Sequence, residues 1–315
     1  MKEPIILWIT ERGQEIAQKI ETSLGGKSFR YQNPWVKKAF FEKRPLIFVG
    51  ACGIAVRAVA PYLKHKSEDP AVVVVDETGR FAISLLSGHL GGANALTQRV
   101  AEVLSAIPVI TTASDLRGLP ALDLWLRENR VVIKDFSCLK ALQAKLLREG
   151  KIKVYLEPPL KLSFPPGLEE SPLAEADLLL SYRKREGALP VRALCLGVGF
   201  HAGEDDLPAK VGKILDQNGL SLEAVFRVAT VKRKGRERAL KALAASFSAE
   251  VLLFEEEELK KTSPPSPSRA KEFLRLPGVA EPSALLAAEG GPLLLPKQTL
   301  GGVTLAVALH GSLAG

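Results

Sequence analysis

Hydrophobic residues along the first 115 positions alternate between short apolar runs and segments with helical spacing. The runs that indicate strands are PIILWIT (4–10), PLIFVGA (45–51), AVVVVD (71–76), FAISLL (81–86) and IPVITTASD (107–115). A continuous apolar run such as AVVVVD is typical of a strand buried on both faces. After residue 92, Ala93, Leu96, Val100 and Leu104 recur at three- and four-residue spacing, which predicts a helix with one apolar face. This alternation predicts a mostly parallel sheet with helices on both faces.

The pattern loses its regularity between residues 130 and 190, where PPLKLSFPPGLEESP is rich in proline. It starts again at ALPVRALCLGVGF (188–200), and further strand and helix signals follow. We therefore predict an α/β fold with two mostly parallel-sheet α/β domains joined by a small intermediate module. The predicted boundaries are 1–129 for the N-terminal domain, 130–190 for the module and 191–315 for the C-terminal domain.

Composition narrows the class of protein. Of the 315 residues, 46% are hydrophobic and 25% charged. No apolar run reaches the roughly 18 residues of a membrane span, and the apolar patch at the N-terminus is too short for a signal peptide, so a cytoplasmic protein without membrane contact is expected. Cys52, Cys138 and Cys195 lie far apart without a CxxC pair, which favours buried free thiols over a structural zinc site.

The net charge of +8 is concentrated partly in the basic runs at 64–66, 182–186 and 231–238. RNA-binding segments usually interleave aromatic residues with basic ones, and these runs do not. Nucleic acid is therefore not an expected partner. An anionic small molecule or a solvated basic face fits the charge better.

Four polar or glycine-rich stretches follow predicted strands of the first domain. They are GACGIAVR (50–57), DETGR (76–80), SGHLGGAN (87–94) and TTASD (111–115). In an open parallel sheet, ligands bind beyond the carboxyl ends of the strands. We therefore predict that the four stretches converge on one site.

SGHLGGAN is the stretch with the clearest chemistry. His89 could act as a general base, and the amide groups of Gly91 and Gly92 could hold an oxyanion. Asp76, Glu77 and Asp115 are candidates to orient His89 or share proton transfer; the alternative is that they cap turns and helices. GACG could cradle an anion or form a tight turn, and it lacks the GxGxxG pattern of a dinucleotide site.

The second predicted domain repeats this arrangement at GVGFHAGEDD (197–206). Gly197 and Gly199 precede His201, for which a site role and a surface role are equally supported. The acidic residues at 204–206 are expected to cap the following helix rather than bind metal. His65 and His310 are assigned no role.

The stretch from PLIFVGACGIAVR through SGHLGGANALTQRVA (45–101), with PVITTASD after it, resembles the N-terminal domain of the CbiG family. LCLGVGFHAG, VFRVATVKRKGRERAL, GVAEPSALLAAE and LLLPKQTLGGVTLAVAL resemble the family's CobE-like C-terminal domain. Phe200 and His201 stand where that family often has Cys-Arg. The matched stretches cover most of the chain apart from the middle section.

The resemblance implies a cobalt-precorrin-5A hydrolase of anaerobic cobalamin biosynthesis. Such an enzyme opens the δ-lactone of a cobalt-corrinoid with water and releases acetaldehyde. Cobalt travels with the substrate, so no cofactor and no protein metal site are expected. His89 would be the base, with Asp76 and Glu77 beside it. The residues expected to bind the carboxylate-rich substrate are Gly50, Gly53, Arg57, Arg80, Ser87, Gly88, Gly91, Gly92, Asn94, Thr111, Thr112, Gly197, Gly199, His201, Lys232 and Lys297.

Two other functions remain open from the sequence. A non-catalytic corrinoid carrier of the same pathway would use the same folds without the chemistry. A nucleotide-binding α/β protein would be stabilised by ATP or NAD. A homodimer and docking to other enzymes of the pathway are also left open.

Overall fold

The computed structural model describes residues 2–65, 68–113, 117–201, 204, 206–233, 237–263, 265–266 and 278–315. These residues form two compact units, 1–124 and 125–315. The predicted α/β class with mostly parallel sheets is confirmed. The three-part division into 1–129, 130–190 and 191–315 stays a prediction. Asp115 lies outside the described residues.

The first unit is built on a six-stranded sheet with the order β2-β1-β3-β4-β5-β6. Its strands are β1 (Ile5–Trp8), β2 (Lys27–Arg30), β3 (Leu46–Val49), β4 (Val72–Val75), β5 (Phe81–Leu86) and β6 (Ile107–Val109). β1 to β4 pair in parallel, whereas β5 runs antiparallel to β4 and parallel to β6. Only the turn DETGR joins β4 to β5, so those two strands form a hairpin.

Two helices cover each face of this sheet. They are α1 (Glu11–Leu24), α2 (Asn33–Glu42), α3 (Cys52–Val59) and α4 (Ala93–Leu104). Val73 and Val75 pack in the core with α1 and α4, while Val72 and Val74 pack with α2 and α3. The continuous apolar run of β4 is therefore buried on both faces, as predicted.

The second unit contains two sheets. The smaller sheet has the order β10-β9-β7-β8 and is parallel throughout. Its strands are β7 (Ile152–Leu156), β8 (Leu168–Glu170), β9 (Leu178–Ser181) and β10 (Leu189–Pro190). Two helices precede it, α5 (Leu122–Glu128), which spans the boundary between the units, and α6 (Phe136–Glu149), which packs on β7.

The larger sheet has the order β13-β12-β11-β15-β14. Its strands are β11 (Leu194–Gly199), β12 (Val225–Val231), β13 (Glu250–Phe254), β14 (Leu293–Leu300) and β15 (Val303–Leu309). β11, β12 and β13 are parallel, and the hairpin β14–β15 adds antiparallel to β11. The helices that the structure describes in this region are α7 (Leu207–Gln217), α8 (Glu237–Ser246), α9 (Glu256–Lys260) and α10 (Ala280–Ala287).

The expectation of buried thiols needs correction. Cys195 is buried, and burial raises the pKa of its thiol to about 12, but Cys52 is half-buried and Cys138 is exposed. His310, to which the sequence assigned no role, is only 3% exposed and contacts charged groups. Within the described ranges, no helix combines the length and the hydropathy that a membrane crossing requires.

Candidate functional site

The β4–β5 hairpin divides the predicted site of the first unit between two opposite edges of its sheet, where the opposite ends of the strands lie. β4 ends at Val75, which pairs with Ala82, and its first residue, Val72, pairs with Leu86. Asp76 and Glu77 therefore follow the carboxyl end of β4, while Ser87 follows β5 at the other edge. We call these the hairpin edge (Thr10, Gly50 and residues 76–80) and the glycine-loop edge (residues 87–94 and Thr112).

The predicted convergence of four stretches on one site is therefore wrong. The hairpin edge holds the start of GACGIAVR and all of DETGR. The glycine-loop edge holds SGHLGGAN and Thr112. The six residues of β5 separate the edges by about 20 Å at the usual rise of a strand. Asp76 and Glu77 consequently cannot orient His89. The catalytic roles assigned to the three residues individually stay predictions.

The glycine loop is held by hydrogen bonds within itself. The amide of Gly92 donates to His89 O over 3.0 Å, Ala93 N donates to Ser87 O over 3.1 Å, and Asn94 N donates to Gly88 O over 2.9 Å. Gly92 takes the left-handed conformation before α4, with φ +84°. The expectation that Gly92 offers an open amide to an oxyanion is wrong, because that amide already closes the turn.

Asn94 joins the glycine loop to two strands. It is 8% exposed, its Oδ1 accepts from Ser84 Oγ at 2.6 Å, and its Nδ2 donates to Thr112 Oγ1 at 3.0 Å. A Cβ at Gly88 would lie only 2.7 Å from Asn94 Oδ1. Glycine at 88 thus leaves room for the Asn94 side chain, so this position serves internal packing.

Ser87 is the most unusual residue of the loop. Its φ of +58° is left-handed, a conformation that non-glycine residues adopt at a cost. Its Oγ is buried and has no hydrogen-bond partner among the described residues. A Cβ at Gly91 would lie 2.8 Å from Ser87 O, so Gly91 is also part of this close packing. The result is a half-buried turn that holds an unsatisfied hydroxyl two residues before His89.

The carboxylates of the hairpin edge are engaged in turns. Asp76 Oδ1 accepts from Phe81 N at 2.6 Å and Oδ2 accepts from Thr78 N at 3.0 Å. Burial acts to raise the pKa of Asp76, but these hydrogen bonds outweigh it and lower the pKa. Glu77 Oε2 accepts from Thr10 Oγ1 at 3.1 Å, and Thr10 also caps α1. An ionised, fully hydrogen-bonded Asp76 stabilises the turn and is a poor general base.

Arg57 lines a cleft of about 300 Å³ on the face covered by α2 and α3. Its Nη1 donates to Gly53 O at 3.2 Å, and Tyr31 Oη donates to Asn33 Oδ1 at 2.8 Å. The cleft is lined by Tyr31, Asn33, Ile54, Arg57, Ala58, Pro61 and Tyr62. The sequence indicated Arg57 but neither tyrosine, because Tyr31 follows a strand that is too polar to predict.

The remaining predicted residues of the first unit lie around these features. Gly50 has φ +155°, and a Cβ there would lie 2.7 Å from Ile9 Cδ1. The guanidinium of Arg80 lies 5.1 Å from the centre of the Phe81 ring at the hairpin edge. Thr111 is exposed beside Thr112. None of these positions adds a group to the glycine loop itself.

In the second unit, Gly197 of the stretch GVGFHAGEDD does not belong to an open ligand cradle. A Cβ at Gly197 would overlap the backbone of α10 at Ala280 O and Ala284 N, so this glycine permits helix and strand to pack. Gly199 has ordinary space around it, and His201 is exposed.

Asp206 stands at the N-cap position of α7, as the helix capping expected at 204–206 requires, whereas Glu204 is engaged elsewhere. Glu204 Oε1 pairs with Lys210 Nζ at 2.6 Å, and that hydrogen bond lowers the pKa of Glu204. Asp206 precedes α7 without a side-chain capping bond. Residue 205 lies outside the described residues.

The two lysines predicted to grip carboxylates have protein partners. Lys232 Nζ lies 2.5 Å from Glu255 Oε1. The backbone amide of Lys297 donates over 3.0 Å to the carboxylate of Glu281, which is buried in α10. Within the described part of the chain, no three His, Cys, Asp or Glu side chains group in a way that could hold a metal ion.

Comparison with known proteins identifies relatives along nearly the whole chain. The family model for cobalamin synthesis G N-terminal matches residues 34–115, and that for cobalamin synthesis G C-terminus matches residues 194–308. A cobalt-precorrin-5A hydrolase of Priestia megaterium is 32% identical over 328 residues, which cover 95% of this chain and 86% of that protein.

Two further relatives match a different share of this chain. The cobalt-precorrin-5A hydrolase of Salmonella typhimurium is 59% identical over 87 residues, which are 28% of this chain and 25% of that protein. The crystal structure of a cobalamin biosynthesis protein G homolog from Sulfolobus solfataricus is 24% identical and covers 98% of this chain and 97% of its own, with a TM-score of 0.40.

Proposed function

Because the chain belongs to the CbiG family of cobalamin-synthesis proteins, we propose that it is a hydrolase that acts on cobalt-precorrin-5A. The observation that carries this proposal is the 32% identity to a hydrolase of that name along 95% of the chain. Both family models match as well, one in each unit. The basic character of the protein suits a macrocycle that bears several carboxylates.

The proposed reaction has two stages. Water adds to the carbonyl carbon of the δ-lactone, the ring C–O bond breaks, and a carboxylate and an alcohol result. A base then takes the hydroxyl proton, the adjacent C–C bond breaks and acetaldehyde leaves. The macrocycle receives the electron pair of that bond and a proton, which gives cobalt-precorrin-5B. Cobalt enters and leaves with the substrate.

The glycine-loop edge supplies the groups for the first stage. His89 takes a proton from the attacking water, and the hydroxyl of Ser87 donates to the developing oxyanion. Ser87 suits this role because its buried Oγ has no partner among the described residues, whereas the Gly92 amide is already bonded to His89 O. A ligand oxygen that accepts from Ser87 would remove the cost of the unsatisfied hydroxyl.

Acetaldehyde release from cobalt-precorrin-5A tests both the function and the residues. An alcohol dehydrogenase coupled to NADH oxidation follows the product. Loss of a general base typically costs about 10²-fold or more in rate, and loss of one oxyanion donor costs about 10²- to 10³-fold. We expect His89→Gln and Ser87→Ala to fall in these ranges, whereas His65→Gln, which changes an exposed histidine, keeps wild-type activity.

The outcomes separate the function from the mechanism. A His89→Gln protein that releases acetaldehyde within threefold of wild type, about 0.7 kcal/mol of barrier, would exclude His89 as the base. Wild-type protein that binds the intermediate but never releases acetaldehyde would exclude the hydrolase and leave a carrier.

A further inference from the structure

A group of arginine side chains in the second unit begins at the residue where α5 ends. Val131 N donates to Leu126 O over 2.9 Å and Arg130 N donates to Arg127 O over 3.0 Å, which is the bonding pattern of a Schellman motif. Arg130 occupies its left-handed position with φ +58°, where glycine is strongly favoured. Keeping arginine there costs conformational energy and fixes the direction in which the side chain leaves the helix.

The guanidinium of Arg130 lies 4.0 Å from the centre of the Phe226 ring. Its Nη1 is buried and has no acceptor among the described residues. Burial first, and then the charge of Arg227, lower the pKa of Arg130. A cation that is stacked on an aromatic ring, partly desolvated and without an acceptor is stabilised by an incoming anion.

Arg192 is held beside Arg130 by the backbone. Arg192 N donates to Arg130 O over 3.0 Å, next to a bridge between Val131 and Val191. Its own guanidinium donates to Val225 O at 2.9 Å and to Phe247 O at 3.3 Å. Arg192 is therefore fixed by protein carbonyls, while Nη1 of Arg130 keeps its hydrogens for another partner.

These side chains line a pocket of about 360 Å³. Its lining consists of Arg130, Val131, Arg192, Phe226, Ser248 and Glu250. Glu250 is paired with Arg227 Nε at 2.9 Å, and burial and the charge of Arg227 outweigh its effect on the pKa of Arg130. Its charge nevertheless disfavours a dianion such as phosphate more than it disfavours a monoanion. Val131 and Phe226 offer apolar surface beside the two cations.

We propose that this pocket binds a carboxylate carried by a small molecule with an apolar body, with Arg130 as the principal ligand. The planar guanidinium matches a carboxylate through two parallel hydrogen bonds. Carboxylate binding in this pocket does not depend on the proposed hydrolase function, since it concerns residues outside the glycine loop; only the assignment of the carboxylate to the macrocycle rests on that function. The carboxylate belongs either to a free metabolite or to a side chain of the macrocycle, and the experiment below distinguishes these sources.

Thermal unfolding of the full chain with butyrate as the probe tests the site, with sodium chloride at equal ionic strength and butanol as references. A ligand that binds only the folded state raises Tm as its concentration rises. We expect butyrate to raise the Tm of wild type more than phosphate, chloride or butanol does. Arg130→Met should lose the butyrate shift, and Arg148→Met, which changes a 71% exposed arginine that does not line the pocket, should keep it.

Stability without ligand separates binding from a structural role. Arg130→Met removes an unsatisfied buried donor, so its Tm in chloride should equal or exceed that of wild type. A lower Tm for this variant, an unchanged butyrate shift, a larger shift with phosphate than with butyrate, or no shift in wild type would each overturn the proposal.

Steady-state kinetics with cobalt-precorrin-5A identifies the source of the carboxylate. A raised KM with unchanged kcat in Arg130→Met assigns it to the macrocycle, and an unchanged KM beside a lost butyrate shift assigns it to a free metabolite. Failure of the hydrolase proposal would instead appear as absent acetaldehyde release by wild type, which leaves the butyrate result intact.

Discussion

Replacing Gly197 by alanine should destabilise the second unit, whereas the same change at Gly199 should not. Both glycines lie in β11 and, two residues apart, on the same face. The added Cβ at position 197 overlaps Ala280 O and Ala284 N, which are backbone atoms of α10 and cannot rotate away. At position 199 the nearest atoms, on Val279 and Thr304, lie 3.7 Å away, an ordinary contact.

The magnitudes follow from this difference in space. Overpacking of a dense core costs typically 1–3 kcal/mol, and a clash with helix backbone on two sides places Gly197→Ala at about 3 kcal/mol or above. The second unit, 125–315, falls in the size class of about 150–250 residues, for which this corresponds to a Tm lowered by roughly 6–12 °C. Gly199→Ala should be neutral or gain about 0.5 kcal/mol, because glycine within a strand is less stable than alanine.

Circular dichroism during heating, with urea unfolding of the same proteins, measures both changes. A Gly197→Ala protein whose Tm stays within about 2 °C of wild type would refute the packing explanation. The pair also separates packing from ligand binding, since a glycine kept for a ligand would alter Tm little in the absence of that ligand.

Two further changes test other parts of the structure. Asn94→Ala should lower the free energy of unfolding, measured in urea, by about 2–4 kcal/mol, because Ser84 and Thr112 lose their hydrogen-bond partner. A decrease below about 1 kcal/mol would contradict the role of Asn94 in joining the glycine loop to the strands. Burial first, and then Arg130 and Arg227, lower the pKa of His310. The stability that neutral His310 contributes is therefore present above the unfolded pKa of about 6.5 and is lost as pH falls below that value. The free energy of unfolding, measured from pH 7.5 to 5, should fall less in His310→Gln than in wild type. Equal losses in the two proteins would contradict this.

The sequence predicted the strands of the first unit well where they are apolar and failed where they are not. β1, β3, β4 and β5 are apolar runs and lie where predicted. β2 has the sequence KSFR at the edge of the sheet, and a strand that buries little surface leaves no hydrophobic pattern.

The direction of β5 follows from the length of the turn that precedes it. Parallel strands need a crossover of a dozen or more residues, and only DETGR separates β4 from β5. That length already requires a hairpin, and hence requires Glu77 and His89 to lie at opposite edges. A site shared by all four loops would need every preceding strand to point the same way, and β5 points the opposite way to β4.

Other features depend on contacts between distant residues. The overlap between position 197 and α10 joins segments far apart in the chain, so the GxG spacing looked like a ligand cradle. Similarly, the unsatisfied hydroxyl of Ser87 and the stacking of Arg130 on Phe226 depend on tertiary placement. A single sequence offers residue types for such positions but not the partners they have or lack.

The β4–β5 hairpin also bears on how the first unit folds. Hairpins form within about 1–10 µs, while parallel pairs such as β1–β3 must first close a long connection and bear its entropic cost. Amides of Val74 and Ile83 are thus expected to gain protection from hydrogen exchange before those of Ile5 and Leu46. The five-residue turn that keeps the two polar loops apart in the folded protein is thus also the expected starting point for assembly of its sheet.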